Sequence, residues 1–122
     1  MANVQNSLKR LMDLDGAIGV ALVDLTSGMT LGYEGGGNIM SMEAAGAGNL
    51  NVVRAKMQVM KDLDLKDKIE DILITLGKQY HLIRPLNDGN KKMFLYLAIS
   101  KAQGNLGMAR YRLQNIESEL EV

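Results

Sequence analysis

The chain has 122 residues with 14 acidic and 14 basic side chains, and this length fits one domain, so we expect residues 1–122 to form a single unit. Charges of both signs occur in both halves, which argues against binding of nucleic acid, and no apolar run is long enough for membrane insertion. Cysteine is absent, which excludes disulfides and thiolate metal sites and is compatible with the cytoplasmic location that we expect.

The N-terminal half is predicted to form a helix, a hairpin and a long second helix. Apolar residues at helical spacing predict a helix over residues 4–12. Large and small apolar residues alternate over residues 16–24, which indicates a central strand. Asp24 and Gly28 supply the turn to a second strand over residues 29–33. An Ala-, Val- and Met-rich segment over residues 41–60 starts at Ser41, a favourable N-cap, and predicts the longest helix.

The C-terminal half is predicted to contain three strands and a last helix. Residues 61–68 form a charged connector, and strands follow over residues 69–76, 80–86 and 93–99, with turns at Gly77 and residues 87–90. Asn105 caps a final helix whose apolar stripe runs from Leu106 to Leu120. The order α-β-β-α-β-β-β-α predicts an α+β fold, a five-stranded antiparallel sheet flanked by three helices.

Catalytic and ligand-binding patterns are missing from this sequence. His81 is the only histidine, it falls within a predicted strand, and no cysteine is present for it to activate. The run that starts at Gly46 resembles a dinucleotide-binding loop but follows no strand and ends in Asn51. We therefore predict no catalytic residue, no cofactor-binding residue and no metal ligand, and we do not expect an enzyme.

Two elements carry more apolar surface than their positions require. The stripe of the second helix is wider than a surface helix needs, and its glycines suit close packing against another helix. The strand over residues 69–76 has no Pro or Lys to protect it if it lies at a sheet edge. A helix buried in its own core is the alternative. The pattern predicts a symmetric homodimer, with an interface formed by Gly46, Leu50, Val53, Met57, Ile72 and Ile74.

Three segments near the C-terminus resemble one known family. Residues 80–86 (YHLIRPL), 94–97 (FLYL) and 105–113 (NLGMARYRL) occur in the order and spacing of the roadblock family, named from a dynein light chain and including stand-alone prokaryotic proteins. The hairpin over residues 19–28 fits as well. The resemblance implies a profilin-like fold with the third strand at the sheet edge, and dimers that join two sheets while the second helices pack together.

The same resemblance implies a function without catalysis. Members of the family are scaffolds, and several prokaryotic ones resemble partners or activators of small Ras-like GTPases that reposition the catalytic groups of the GTPase. No arginine finger is then implied among Arg54, Arg84, Arg110 and Arg112, and Arg110, which matches the family pattern, is expected to be structural. Our leading hypothesis is a homodimeric regulator or scaffold that binds a small Ras-like GTPase or a larger assembly. The alternative is a sensor domain that binds a small ligand.

Overall fold

The computed structural model describes residues 3–86 and 92–120 of the chain, so the turn predicted at residues 87–90 lies outside the described residues. Within them, the helices are α1 (Val4–Met12), α2 (Met42–Gly48), α3 (Leu50–Asp62) and α4 (Leu106–Glu119). The strands are β1 (Ala17–Asp24), β2 (Thr30–Gly35), β3 (Ile72–Thr75), β4 (Gln79–Pro85) and β5 (Met93–Ser100). None of these helices is long and apolar enough to cross a membrane.

The five strands form one antiparallel sheet in the order β2-β1-β5-β4-β3. The predicted fold class is thereby confirmed. β1 and β5 occupy the centre, and their residues are buried on both faces, as the nearly continuous apolar sequence of each strand requires. Gly28 closes the β1–β2 turn with a φ of +79°, a conformation that glycine adopts without strain.

Helices cover both faces of the sheet and create two apolar layers. α1 and α4 lie on one face, where Leu8, Leu11, Leu113 and Ile116 pack against Leu22, Leu82, Leu95 and Leu97. α2 and the first turns of α3 lie on the other face, where Met42, Leu50 and Val53 pack against Ala21, Val23, Ile83, Phe94 and Tyr96. The edge strand β3 contributes to both layers, because Leu73 joins the first and Ile72 and Ile74 join the second.

The helix predicted over residues 41–60 consists of two segments that meet at Asn49. The side-chain Nδ2 of Asn49 donates to the carbonyl of Ala45 at 2.7 Å, and its main-chain N–H donates to the same carbonyl at 3.1 Å. Gly46 and Gly48 precede this residue and weaken the helix locally, because glycine costs about 1 kcal/mol relative to alanine in a helix interior. α3 then starts at Leu50 without a side-chain cap.

β3 is shorter than the strand predicted over residues 69–76. Its four residues pair with β4, from Ile72 opposite Ile83 to Thr75 opposite Tyr80. Pro85 lies two positions after Ile83 on β4, and it has no N–H with which to extend the hydrogen bonding between β4 and β3. Asp71, which precedes the strand, turns its carboxylate to Arg110 of α4. The chain before Ile72 therefore approaches the sheet without pairing to it.

Candidate protein-interaction surface

The second half of α3 extends away from the body of the domain. Leu50 and Val53, in its first turn, are buried against the sheet. From Arg54 onward nearly every residue of the helix is exposed, although the sequence remains rich in apolar side chains. Met57 is 40% exposed and Val59 is 45% exposed. Apolar side chains that are exposed together on one part of a helix are typical of a protein interface.

A groove of about 1060 Å³ lies between α3 and the segment that leads into β3. We call it the edge groove. α3 lines it with Val52, Ala55, Lys56, Val59 and Met60, which fall at helical spacing on one side, and residues 65 and 67–72 with Arg110 complete it. The groove is open to solvent and has an apolar floor with charged groups at its rim. Such a shape fits a row of side chains from another protein better than an enclosed small ligand.

The strand next to the edge groove has unpaired backbone groups. The N–H of Leu76 donates to the carbonyl of Gln79 at 2.8 Å, which sets the alternation of bonds along the β3–β4 pair. Leu73 and Thr75 therefore turn their N–H and C=O groups away from β4. No described strand lies on that side, because β3 ends the sheet. An open edge without Lys or Pro can accept a further strand.

An ion pair holds in place the segment before β3, which forms one side of the edge groove. The guanidinium of Arg110 donates to both carboxylate oxygens of Asp71, from Nε at 2.9 Å and from Nη2 at 3.2 Å. The side-chain hydrogen bond to Asp71 raises the pKa of Arg110 above its ordinary value. The bidentate geometry fixes the segment before β3 against α4. This contact agrees with the structural role expected for Arg110.

The structure divides the six predicted interface residues into two groups. Met57, Ile72 and Ile74 lie at the exposed half of α3 and on the edge strand, as the prediction requires. Gly46, Leu50 and Val53 are instead buried inside the chain's own core, and their place in a dimer interface stays a prediction. A Cβ atom on Gly46 would lie only 2.9 Å from Val23 and 3.0 Å from Ala21, so this glycine lets α2 approach the chain's own sheet.

Sequence reasoning also missed part of the groove. The charged connector predicted over residues 61–68 contains two leucines among its charges. In the structure Leu65 lines the edge groove, and Leu63 is largely exposed beside it in the chain. The two leucines interrupt the charge run at alternate positions, and this spacing was the available signal.

His81 belongs to a closed polar cluster on the α2–α3 face of the sheet. Its Nδ1 accepts the hydroxyl of Tyr96 at 3.0 Å, and its Nε2 donates to Oε1 of Gln79 at 2.7 Å. The two rings meet edge to face at 5.3 Å. Burial lowers the pKa of His81 and raises the pKa of Tyr96. Both shifts favour the neutral form of the group concerned.

All five arginines of the chain are engaged within it. Arg54 donates to two carbonyls of the β1–β2 turn, at 2.7 and 3.3 Å, and Arg84 donates to Glu117 at 2.7 Å. Arg112 donates to the carbonyl of Arg10 at 2.8 Å, and Arg10 itself pairs with Glu119. None of these guanidinium groups projects as an isolated cation. Among the described residues, no three His, Cys, Asp or Glu side chains are grouped so as to hold a metal ion.

Known structures share this fold, whereas no family model and no curated protein matches the sequence. MglB of Myxococcus xanthus superposes with a TM-score of 0.79 at 17% identity, over 93% of this chain and 88% of that one. A Roadblock/LC7 domain from Streptomyces avermitilis gives 0.80 at 7% identity, over 96% and 93%. A structure of MglB with a tetrameric arrangement gives 0.76 at 13% identity, over 93% and 81%. The chain thus has the fold of roadblock proteins, as its sequence resemblance implied.

Proposed function

We propose that this protein is a non-enzymatic homodimer that regulates or scaffolds other proteins, with a small Ras-like GTPase as its partner. One observation carries the proposal. The exposed apolar half of α3 lies beside β3, a strand with an open edge, and both border the edge groove. A helix face and a strand edge that are adjacent and unprotected fit a second copy of the same surface.

The geometry suits a twofold arrangement. Two β3 strands would pair antiparallel through the outward groups of Leu73 and Thr75 and join two five-stranded sheets into one. The α3 helices would then pack on the same face, each with Val59 and Met60 directed into the partner's edge groove. Both chains would use the same surface, so pairing would leave no copy of it free and the assembly would close at two chains. The roadblock resemblance implies the same arrangement.

The GTPase part of the proposal rests on the sequence resemblance together with the state of the arginines. A regulator that supplied an arginine to the GTPase would need a guanidinium free to leave its own chain. Here Arg54, Arg84, Arg110 and Arg112 each hold a structural acceptor. A regulator of this kind acts by holding the GTPase's own catalytic groups in place, which requires a surface and no chemistry of its own.

The dimer is tested by measuring mass in solution. Sedimentation equilibrium at micromolar concentration should give twice the chain mass. Val59→Glu should raise the dimer Kd about a hundredfold or more, because a carboxylate would be buried without a partner. Thr75→Pro should act similarly, since it removes an outward N–H that β4 does not use. Gln114→Lys, on the exposed side of α4, is the matched control and should remain dimeric. A monomeric wild type would overturn the proposal.

The partner is tested with a small Ras-like GTPase from the same host, loaded with GDP or with a non-hydrolysable GTP analogue. Calorimetry should show binding that depends on the nucleotide, and single-turnover hydrolysis should change when the protein is added. Val59→Glu should weaken both effects if the dimer forms the binding surface. If the host's small GTPases bound this protein in neither nucleotide state, the GTPase would have to be dropped from the proposal. The result on the dimer would be unaffected.

A further inference from the structure

The opposite end of the sheet carries a second exposed apolar surface. β2 is the other edge strand, and four large apolar residues lie open on it and beside it. Met29 is 65% exposed, Leu31 is 46% exposed, Tyr33 is 47% exposed and Ile39 is 64% exposed. We call these four residues the β2 surface. The β2 surface shares no residue with the edge groove, and the strands β1, β5 and β4 lie between β2 and β3.

The backbone of β2 is also available for pairing. The N–H of Gly36 donates to the carbonyl of Ile18 at 2.8 Å, and Val20 lies opposite Glu34 in the ladder. Because bonded positions alternate along an antiparallel pair, Tyr33 turns its N–H and C=O away from β1. No described strand lies on that side, and β2 contains neither Lys nor Pro. The strand is therefore a template for an extended segment.

The part of the chain that contains β2 carries only negative charges. Between Leu11 and Val53 the sequence contains five carboxylates and no Lys or Arg, although each half of the chain as a whole is balanced. Asp24 and Glu34 lie at the two ends of the hairpin and Glu43 is exposed on α2. Main-chain N–H groups of Ser27 and Thr26 lower the pKa of Asp24, so its carboxylate is charged at neutral pH.

The basic groups that border this region leave its charge largely uncompensated. Arg54 is engaged with the carbonyls of Leu25 and Thr26 at one end of the hairpin. On the α1 side, Glu34 accepts from Gln5, and Lys9 follows one helical turn later. A segment that matches this surface must therefore combine apolar residues with positive charge.

We propose that β2 binds an extended basic and apolar segment of a partner protein, which pairs with it as a sixth strand. The alternating apolar residues of the bound segment contact Tyr33 on the α2 face of the sheet, and its Lys or Arg side chains lie on the opposite face, near Glu34. A second copy of this chain does not supply such a strand from its open edge, because Ile72–Thr75 is uncharged. The surface is independent of the dimer, since it uses the other end of the sheet.

The probe is a synthetic heptapeptide of alternating Lys and Val, added to the ¹⁵N-labelled full chain. The control is the same peptide with Glu in place of Lys. The basic peptide should bind about tenfold or more tightly than the acidic one, and added salt should weaken its binding. Amide shifts should concentrate on β2, and hydrogen exchange at Tyr33 should slow. Equal binding of both peptides, shifts centred on β3, or no binding would each overturn the proposal.

Three variants sharpen the result. Tyr33→Pro removes the outward N–H and leaves the bonds to β1 in place, so it should abolish the protection and weaken binding. Thr75→Pro makes the equivalent change at the other edge and should bind the peptide as the wild type does. Glu34→Gln removes the charge and keeps the size of the side chain, so it reports on the proposal even where Tyr33→Pro perturbs folding. Unchanged binding by Glu34→Gln and by a folded Tyr33→Pro variant would contradict the proposal. The mass of the dimer is unaffected by either result.

Discussion

Two glycines of α2 provide a measurement of how closely this helix lies on the sheet. A Cβ atom added to Gly46 would lie 2.9 Å from Cγ2 of Val23 and 3.0 Å from Cβ of Ala21, both on a fully buried strand. A Cβ atom added to Gly48 would have no heavy atom within 4 Å. Both substitutions to alanine gain the same kind of helix propensity, about 1 kcal/mol in a helix interior and less near its end. Only the first meets resistance from packing.

The expected magnitudes follow from these contacts. Overpacking in a core that cannot shift costs about 1–3 kcal/mol, so Gly46→Ala should be neutral to destabilising by about 2 kcal/mol after its gain in propensity. Gly48→Ala should stabilise the protein by up to about 1 kcal/mol. Urea unfolding at one fixed protein concentration measures both, because the stability of a dimer depends on concentration. If Gly46→Ala stabilised the chain as much as Gly48→Ala does, α2 would not lie as close to β1 as described.

Three further predictions concern the polar contacts. Burial lowers the pKa of His81 below its value in the unfolded chain, so the free energy of unfolding should be highest above about pH 6.5 and should decrease as the pH falls below it. Urea unfolding of the wild type and of His81→Gln across pH 5–8 should show a weaker dependence of this free energy on pH in the variant. Arg84→Met should cost about 3 kcal/mol because Glu117 stays buried, and Arg84→Met with Glu117→Leu should recover part of it by the same assay. Arg54→Ala should lower stability by about 1 kcal/mol while a GTPase partner's hydrolysis rate stays the same; a lost rate in a folded variant would indicate a direct role.

The fold was predictable because its sequence signals are local and agree with one another. Asn105 caps α4 as expected, and Asn3 caps α1 in the same way; each accepts from a main-chain N–H three residues later. The central strands are recognisable because a strand buried on both faces needs a continuous apolar run. The order of the elements then leaves few ways to arrange five strands. Agreement between caps, periodicity and turns is what makes such a prediction reliable.

Which of the predicted interface residues are exposed was only partly predictable, for a geometric reason. Gly46, Leu50, Val53 and Met57 follow one another at helical spacing, so the sequence presents them as a single stripe. The sheet beneath the helix supports the stripe as far as Val53 and ends before Met57. A helical pattern in the sequence indicates which side of the helix is apolar, but it does not indicate where the sheet that covers that side ends. The pairing of Arg84 with Glu117 was equally hidden, since 33 residues separate them.

The two open edges of the sheet require different partners. If β3 of one chain paired with β2 of another, each addition would leave a free edge at both ends and the assembly would grow into a filament. The hairpin opposes this pairing, because a register shift at Leu22 and Val23 adds twist to β2 and because uncharged β3 offers nothing to Glu34. Pairing of β3 with itself closes the assembly instead. We expect a mass that stays constant above the dissociation range, and a mass that kept rising with concentration would contradict the assignment of separate partners to the two edges.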